Sequence, residues 1–252
     1  MSGQFWLSDE QVERLGPHFP KLRGKPRVDD RRVSSGILFV LRNGLRWQDA
    51  PAVHGPHKTL HDRFARWSRL GVFARIFPDL AKPGADGDTL MMDSTHPKAH
   101  RTAASLETKG APPSRDRPHK GWPDFQAPLS DGRGRPLTFF LFPGQMSDAK
   151  GALVLLAEMP PAKRLIGDKG HDADWVQDEL KARGVRVCIP ARSGRRRPAS
   201  HNRKLYKKRS RIENAFARLK DWRGIAMRYT RCGEPFLSAI ALAAAVIFWL
   251  PW

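Results

Sequence analysis

Two short apolar runs in the second half of the chain end in an aspartate, and they constrain the fold most. TLMMDST ends its apolar stretch at Asp93, and KRLIGDKG ends its own at Asp168. Runs of this length, bounded by turn residues, are typical of buried strands. LTFFLFPG and VRVCIP are predicted as further strands, and DADWVQDELKARG as a helix closed by Gly184. Strands mixed with covering helices predict an α/β or α+β layered domain.

Residues 1–80 have a helical pattern instead. Ser8 with Gln11 three residues later predicts a capping box at the start of the first helix. A second helix is predicted to begin at the Asp29–Asp30 pair and to end at Gly44. Arginines surround the apolar positions of the next helix, TLHDRFARWSRLGVFARIF. Helix, turn and helix with arginines fits a DNA-binding module, and a small bundle that the arginines merely solvate fits equally well.

The formal net charge of +20 predicts a polyanionic partner, of which nucleic acid is the commonest. A membrane surface is the other polyanion. The apolar segment PFLSAIALAAAVIFWLPW is short for a bilayer span and rich in small residues, so we expect a buried helix and no membrane association. The N-terminus does not resemble a secretory signal. Cys188 and Cys232 form no CxxC pair, which fits a reducing cytoplasm.

Three carboxylates are candidates for metal binding and catalysis. Asp93 and Asp168 each lie where a strand passes into a loop, and adjacent strands would bring them together. Glu213 stands alone among basic residues on a predicted helix, from which it would complete the set. Hard oxygen ligands suit Mg²⁺, and two such ions serve phosphodiester chemistry. The alternative for each acid taken singly is an N-cap, a turn residue or a surface ion pair.

The segment YKKRSRIENAFARLK is predicted to be one helix with a directed polar face. Tyr206, Arg209, Glu213 and Lys220 fall on one side of it at about 100° per residue. Arg209 and Lys220 would hold phosphates, and Tyr206 would donate a hydrogen bond or stack. The basic run at residues 191–211 favours phosphate contact, with a solvated loop as the alternative. Other candidate DNA-binding residues are Lys169, Lys207, Lys208, Arg211 and Arg218.

The spacing of Tyr206, Arg209, Glu213 and Lys220 resembles the motif of bacterial insertion-sequence transposases that carry a DDE catalytic triad. MMDST and GDKGHDADW resemble the other two acidic motifs of this family. FWLSDEQVERLGPHFP, GKPRVDDRRVSSGILFVL, RWQDAP and GPHKTLHDRFARW resemble its helical N-terminal domain, and SAIALAAAVIFW its C-terminus. The resemblance covers nearly the whole chain.

The resemblance implies a ribonuclease H-like mixed-sheet catalytic domain, preceded by an all-helical DNA-binding domain. We therefore expect the helical domain at 1–80, a linker at 81–88 and the catalytic domain at 89–252. It implies Mg²⁺-dependent cutting and strand transfer at transposon ends, with Mn²⁺ as a substitute ion. Asp93, Asp168 and Glu213 would hold the metal. The expected partner is double-stranded DNA, bound by a homodimer at the bacterial nucleoid.

The segment at residues 111–130 departs from the family pattern. Three prolines within DRPHKGWPDFQAPLS predict that it does not form a central strand, because proline lacks the ladder donor. One choice of codons for this stretch encodes IGRTKGGRTSKLH in a shifted frame, which is close to the family pattern. Our hypothesis is a pair of compensating frameshifts, which the nucleotide sequence tests.

Two alternative functions stay open at this point. A transposase-derived protein with its catalysis impaired by the segment at 111–130 would still bind DNA. An Mg²⁺-dependent nuclease of another pathway would share the carboxylates, but it would leave the N-terminal motifs unexplained.

Overall fold

The computed structural model describes residues 5–20, 29–81, 88–95, 98–99, 123–143, 148–195, 201–230 and 232–250. These residues form two compact units. The described residues of the first lie within Met1–Leu80, Pro97–Arg117 and Arg218–Trp252, and those of the second within Ala81–His96 and Pro118–Ala217.

Helices build the first unit. The capping box of the first helix is confirmed, since Ser8 accepts from the Gln11 backbone N–H and the Gln11 side chain accepts from the Ser8 N–H. The second helix has Asp29 as its N-cap and ends at Gly44, whose positive φ of 63° is a left-handed C-cap, as predicted. The four N-terminal helices are α1 (Asp9–Leu15), α2 (Asp30–Asn43), α3 (His57–Arg69) and α4 (Val72–Leu80).

The apolar C-terminal segment is a helix, Gly233–Ala244, continued by a π-helical turn, Ala245–Trp249. It packs against α2, α3 and α4, and most of its apolar side chains are buried. Residues 218–252 therefore group with the N-terminal helices, whereas the sequence led us to expect them in one domain with residues 89–217. Across the described residues, no helix has the length and apolarity to span a bilayer.

The described strands are β1 (Thr89–Thr95), β2 (Lys98–Ala99), β3 (Pro123–Ser130), β4 (Pro136–Pro143), β5 (Arg164–Gly167), β6 (Arg186–Cys188) and β7 (Met227–Arg228). Five of these strands form a mixed sheet in the second unit. The strand order is β4-β3-β1-β5-β6, in which β3 is antiparallel to β1 and β4, whereas β5 and β6 run parallel to β1. A separate two-stranded parallel pair, β2 with β7, belongs to the first unit.

The sheet has a hydrophobic core in which helices Asp148–Ala157 and Asp174–Ala182 take part. Leu90 and Met92 of β1 and Leu165 of β5 lie in this core with Leu155 and Val176 of the two helices. All three of these strand residues are almost fully buried. Alternation along β1 then assigns Met91 and Asp93 to the opposite face.

The expectation that prolines would keep residues 116–130 out of the sheet was wrong for β3, which lies between β1 and β4. Pro123 is the first residue of the strand, where a missing N–H breaks no ladder within it. Pro128 falls in a bulge, because three steps on β3 from Ala127 to Ser130 oppose two on β1. A bulge leaves a residue unpaired, so it accommodates proline. Residues 111–122 lie outside the described part of the chain.

The single helix predicted for residues 206–220 is interrupted. A helix Arg203–Tyr206 is followed by a 3₁₀ turn, Lys207–Arg209, and then by the Glu213 helix, Ser210–Lys220. The 3₁₀ turn has three residues per turn, so it changes the angles between Tyr206, Arg209 and Glu213 that a continuous helix would give.

The β3–β4 hairpin loop lies directly against the start of the Glu213 helix. Arg211 donates from Nη1 to the carbonyl of Gly132. Gly134 has φ of 85°, and a Cβ built on it would lie 2.6 Å from the carbonyl oxygen of Arg211. This glycine therefore permits both a left-handed turn and the close approach that sets the helix on the hairpin.

We expect Gly134→Ala to destabilise the protein more than Gly184→Ala. Gly184 also has a positive φ, of 71°, but a Cβ there would meet nothing within 4 Å. The Gly184 change should thus cost only the left-handed strain of about 1–2 kcal/mol. The clash at Gly134 should add about 1–3 kcal/mol. Urea unfolding measures both, and equal losses would show that the hairpin does not need the close approach.

Candidate active site

The strand pairing brings the two predicted aspartates side by side. In the parallel ladder, Met91 pairs with Ile166 and Met92 pairs with Gly167. Asp93 follows Met92 within β1, which continues to Thr95, and Asp168 follows Gly167 directly after the end of β5. The prediction that Asp93 lies where its strand passes into a loop was therefore wrong, because pairing with β3 extends β1, whereas Asp168 does follow the end of its strand. The electrostatic interaction between the two carboxylates also marks them as neighbours. Positions at this edge of a parallel strand pair hold functional groups on a rigid base.

Asp93 is a buried carboxylate, with 5% of its surface exposed. Its Oδ1 accepts a hydrogen bond of 2.9 Å from the Ser94 backbone N–H. Burial raises the pKa of Asp93 to about 6, and the Asp168 charge adds to the rise while the Arg209 charge opposes it. The group therefore changes charge close to neutral pH, which is a property common in functional sites.

The pKa of Asp168 is shifted in the opposite direction, and contacts within its own loop contribute to this shift. Its Oδ1 accepts from the Gly170 N–H at 2.9 Å and lies 2.6 Å from Nδ1 of the buried His171. Burial alone would raise the pKa of Asp168, but His171, Arg209 and the Gly170 N–H together hold it below its ordinary value. The two neighbouring carboxyl groups thus have pKa values shifted in opposite directions.

Arg209 connects Glu213 to Asp93. Its guanidinium Nη2 lies 2.9 Å from Oε1 of Glu213 and 3.3 Å from Oδ2 of Asp93, and Nη1 donates to the same Glu213 oxygen at 3.0 Å. Glu213 is half exposed, whereas Arg209 is mostly covered. One cation therefore bridges a buried carboxylate of β1 and a carboxylate on the Glu213 helix.

Tyr206 lies at the same site. The Arg209 guanidinium carbon is 5.9 Å from the centre of its ring. Burial raises the pKa of the Tyr206 phenol above its ordinary value, and the Asp168, Asp93 and Glu213 charges add to the rise against that of Arg209. The phenol is therefore a neutral hydrogen-bond donor at physiological pH.

The carboxylates fit a hard divalent cation in part. Asp93 of β1 and Asp168 after β5 offer neighbouring carboxylate oxygens, which are the donor type that Mg²⁺ prefers. Glu213, by contrast, is paired with Arg209. In the portion of the chain that the structure describes, no three His, Cys, Asp or Glu side chains are grouped so as to hold a metal. The two aspartates are thus the part of the predicted triad that suits an ion.

The remaining predicted DNA-binding residues divide into two groups. Lys169, Lys207 and Lys208 are exposed, so their charges are available to a ligand. Arg211 and Arg218 are engaged with the protein itself, the first with the Gly132 carbonyl and the second with the Ile247 carbonyl and the Phe248 ring. Lys220 is exposed at the end of the Glu213 helix, in the part that groups with the first unit.

Sequence reasoning missed two residues of the loop that follows β5. His171 is buried against Asp168. Asp172 is also buried, and it accepts from the Gln177 side chain, the Arg192 N–H and the Arg195 guanidinium. Asp172 thereby ties this loop to the one after β6. Their place in GDKGHDADW, directly after Asp168, was the available signal.

Two family models match the chain. One, described as "Putative transposase of IS4/5 family", matches residues 7–77. The other, described as "Transposase DDE domain", matches residues 165–250 and so includes Asp168, Tyr206, Arg209 and Glu213.

Three curated proteins are similar to parts of this chain. A "Putative transposase for insertion sequence element IS6501" of Brucella ovis is 33% identical over 124 residues, which are 48% of this chain and 92% of the relative. The "Uncharacterized protein y4sN" of Sinorhizobium fredii is 37% identical over 101 residues, 39% of this chain and 80% of the relative. The "Insertion element IS402 uncharacterized 16.2 kDa protein" of Burkholderia cepacia is 40% identical over 62 residues, 24% of this chain and 42% of the relative.

The opposite pKa shifts predict opposite effects of removing each charge from the metal-free protein. The pKa of Asp93 is raised to about 6 from 3.8, so folding loses stability as the pH rises through this interval. We expect Asp93→Asn to be more stable than the wild type above pH 6, by on the order of 3 kcal/mol, and equal to it in acid.

Asp168→Asn is the matched control for this prediction. Because the folded-state pKa of Asp168 is lowered, its carboxylate stabilises the fold at neutral pH and ceases to do so as the pH falls. The variant should be less stable than the wild type at pH 7. Urea unfolding in a chelator at several pH values measures both. An Asp93→Asn protein that is less stable at pH 8 would show that pairing with Arg209 outweighs burial.

Proposed function

Since the chain belongs to the insertion-sequence transposases of the DDE type, we propose that it cleaves and rejoins DNA strands at the ends of an insertion sequence in a Mg²⁺-dependent reaction. The first reaction would be hydrolysis, in which water attacks a phosphodiester and releases a 3′-hydroxyl. In the second, that hydroxyl would attack a phosphodiester of the target DNA, which joins the element's end to a target 5′-phosphate and releases the target's 3′-hydroxyl as the leaving group.

The observation that carries this proposal is the placement of Asp93 and Asp168 next to each other, directly after the last paired residues of two adjacent parallel strands, with Arg209 connecting Glu213 to Asp93. The net charge of +20 favours binding of a polyanion, and this site groups three acidic residues with one arginine. An aspartate that served only in a surface ion pair would not need to be buried in a strand, as Asp93 is.

Asp93 and Asp168 would hold the divalent ion, and Glu213 would join them after exchanging its pairing with Arg209 for the ion. When bound, such ions activate an attacking oxygen and stabilise a leaving oxygen in phosphodiester chemistry. His171 would fix the orientation of Asp168 through its 2.6 Å contact. Carboxylate ligands favour Mg²⁺, with Mn²⁺ as the substitute.

Tyr206 and Arg209 would position the scissile phosphate, by a hydrogen bond from the phenol and by the charge of the guanidinium. Lys169, Lys207 and Lys208 would contact the DNA backbone on either side, since their side chains are exposed. Lys220 is proposed as a further phosphate contact. The contacts of Arg211 and Arg218 with backbone carbonyls support a structural role for these two in the unbound protein.

A ribonuclease H-like catalytic fold is part of the proposal. It is supported by the mixed sheet, in which the antiparallel strands β4, β3 and β1 are followed by the parallel strands β5 and β6. The N-terminal helices would bind the element's ends, and a homodimer would bridge the two ends.

Glu213→Gln is the direct test of the chemistry. We expect strand cleavage of a labelled duplex carrying the element's own ends to fall by at least about 10²-fold in Mg²⁺, because one preorganised charged group is lost. Binding should be retained. Glu179→Gln is the matched control, since Glu179 is an exposed acid paired with Arg183 on another helix. Equal cleavage by both variants would contradict the proposed role of Glu213.

A second candidate function is DNA binding without effective catalysis. The observation that favours it is the position of the altered segment, because β3 pairs Ala127 with Asp93 itself. An altered strand at this point would act on the carboxylate that holds the ion.

Repair of the segment separates the two candidates. If the wild type binds but does not cleave the end duplex, replacing residues 117–129 by IGRTKGGRTSKLH should restore cleavage at least 10-fold above background, as expected if about 1.4 kcal/mol of transition-state stabilisation returns. The Glu213→Gln change in the repaired chain should abolish it again. Efficient cleavage by the unrepaired wild type would exclude this second candidate.

A further inference from the structure

A basic cleft of about 540 Å³ lies along the outer edge of the sheet, separate from the carboxylates. We propose that this cleft, here called the edge cleft, binds the phosphodiester backbone of DNA that continues beyond the active site. Its basic residues are Arg164, Arg186, Lys204 and Lys208, and its apolar lining includes Val187 and Leu205.

The two arginines are placed next to each other by the sheet. Arg164 begins β5 and Arg186 begins β6, and the two residues are partners in the parallel ladder. Like charges in register on neighbouring strands repel, so an unliganded protein would be more stable without one of them. A bound anion would remove this repulsion.

The two lysines approach the cleft from a helical segment. Lys204 belongs to the helix Arg203–Tyr206 and Lys208 to the following 3₁₀ turn, so they lie four residues apart. Both side chains are exposed. They bring the number of cations that line one cleft to four, and in the described part of the chain no acidic residue lines it.

The chain neutralises other cations of the same unit. Lys163 pairs with Asp88 at 3.0 Å, Arg183 with Glu179 at 2.7 Å and Arg135 with Asp131 at 2.7 Å. Within the described residues, by contrast, none of the four cleft cations is in an ion pair. The half-buried Arg164 also has an Nε with no hydrogen-bond partner there. A phosphate oxygen would satisfy that donor.

One segment joins the edge cleft to the active site. Tyr206 and Arg209 lie at the carboxylates, whereas Lys204 and Lys208 of the same short segment line the cleft. A phosphate backbone held by Arg209 would therefore meet the cleft lysines next. Several cations spread along a cleft suit a repeating polyanion better than one small anion. This inference rests on the proposed function in taking DNA as that polyanion.

The salt dependence of DNA binding tests the cleft without any chemistry. The triple variant R186Q/K204Q/K208Q would be compared with the wild type in EDTA, using a labelled duplex of the element's end and an unrelated duplex of equal length. We expect the slope of log K against log salt to fall in magnitude by about 3, since each lost phosphate contact removes about one unit.

K163Q/K181Q/R183Q is the matched control. It also removes three positive charges, but from exposed residues of the same unit that are paired with acids. Its slope should change by less than about one unit. Arg164→Gln is made separately because this side chain is half-buried, and it should lower the slope by about one. Urea unfolding verifies that each variant is folded.

The two duplexes identify the source of the backbone. If the triple variant has a smaller slope on both duplexes, the cleft binds any duplex. If its slope is smaller on the end duplex alone, the cleft binds the element's end. If its slope is smaller on the unrelated duplex alone, the cleft binds target DNA. An unchanged slope on both, or an equal change in the control, would overturn the proposal and leave an acidic protein segment as the occupant to examine. A wild type that does not cleave the end duplex, while the triple variant still lowers the slope as expected, would count against the proposed function and not against the cleft.

Discussion

The parallel pairing of β1 with β5 is the constraint on which the candidate site depends. The ladder ends at the pair of Met92 and Gly167, and Asp93 and Asp168 are the next residues along the chain, so the backbone hydrogen bonds of the sheet bring the two carboxylates close together. The hydrophobic core that holds the strands therefore also holds the site. A shift of one residue in this register would turn one of the aspartates to the other face of the sheet.

The charges at this site are balanced by the loop after β5 and by Arg209, which precedes the Glu213 helix. Burial raises the pKa of Asp93 to about 6, while the loop after β5 lowers that of Asp168 through His171 and Gly170. Arg209 offsets the repulsion between acids by contacting Asp93 and Glu213 at once. In the metal-free protein this arginine supplies the positive charge between the acids, and in the proposed chemistry Glu213 would have to release Arg209 in order to hold an ion.

The hairpin of β3 and β4 shows how a sequence with unfavourable residues still completes the sheet. Pro123 begins the strand and Pro128 lies where the ladder is already interrupted, so neither removes a regular hydrogen bond. The hairpin loop in turn supports the Glu213 helix at Arg211 through Gly132 and Gly134. The strand beside Asp93 and the helix that carries Glu213 are thus linked by one loop.

The amino-acid sequence by itself determined the local elements and the identity of the chemical groups. Caps such as Ser8 with Gln11 and the left-handed Gly44 act over a few residues, and the apolar runs before Asp93 and Asp168 define strands wherever they lie. Such signals are readable because their physical causes are contained within one turn or one strand.

Only the tertiary structure decided which of these groups meet. It joined residues 218–252 to the N-terminal helices, because an apolar helix is stabilised by whichever apolar surface covers it, regardless of distance along the chain. It placed a bulge at Pro128 and a 3₁₀ turn at Lys207–Arg209, which contacts with neighbouring strands and helices select. It also set Arg164 beside Arg186 without an acid, since the register of a sheet follows its core and not its surface charges.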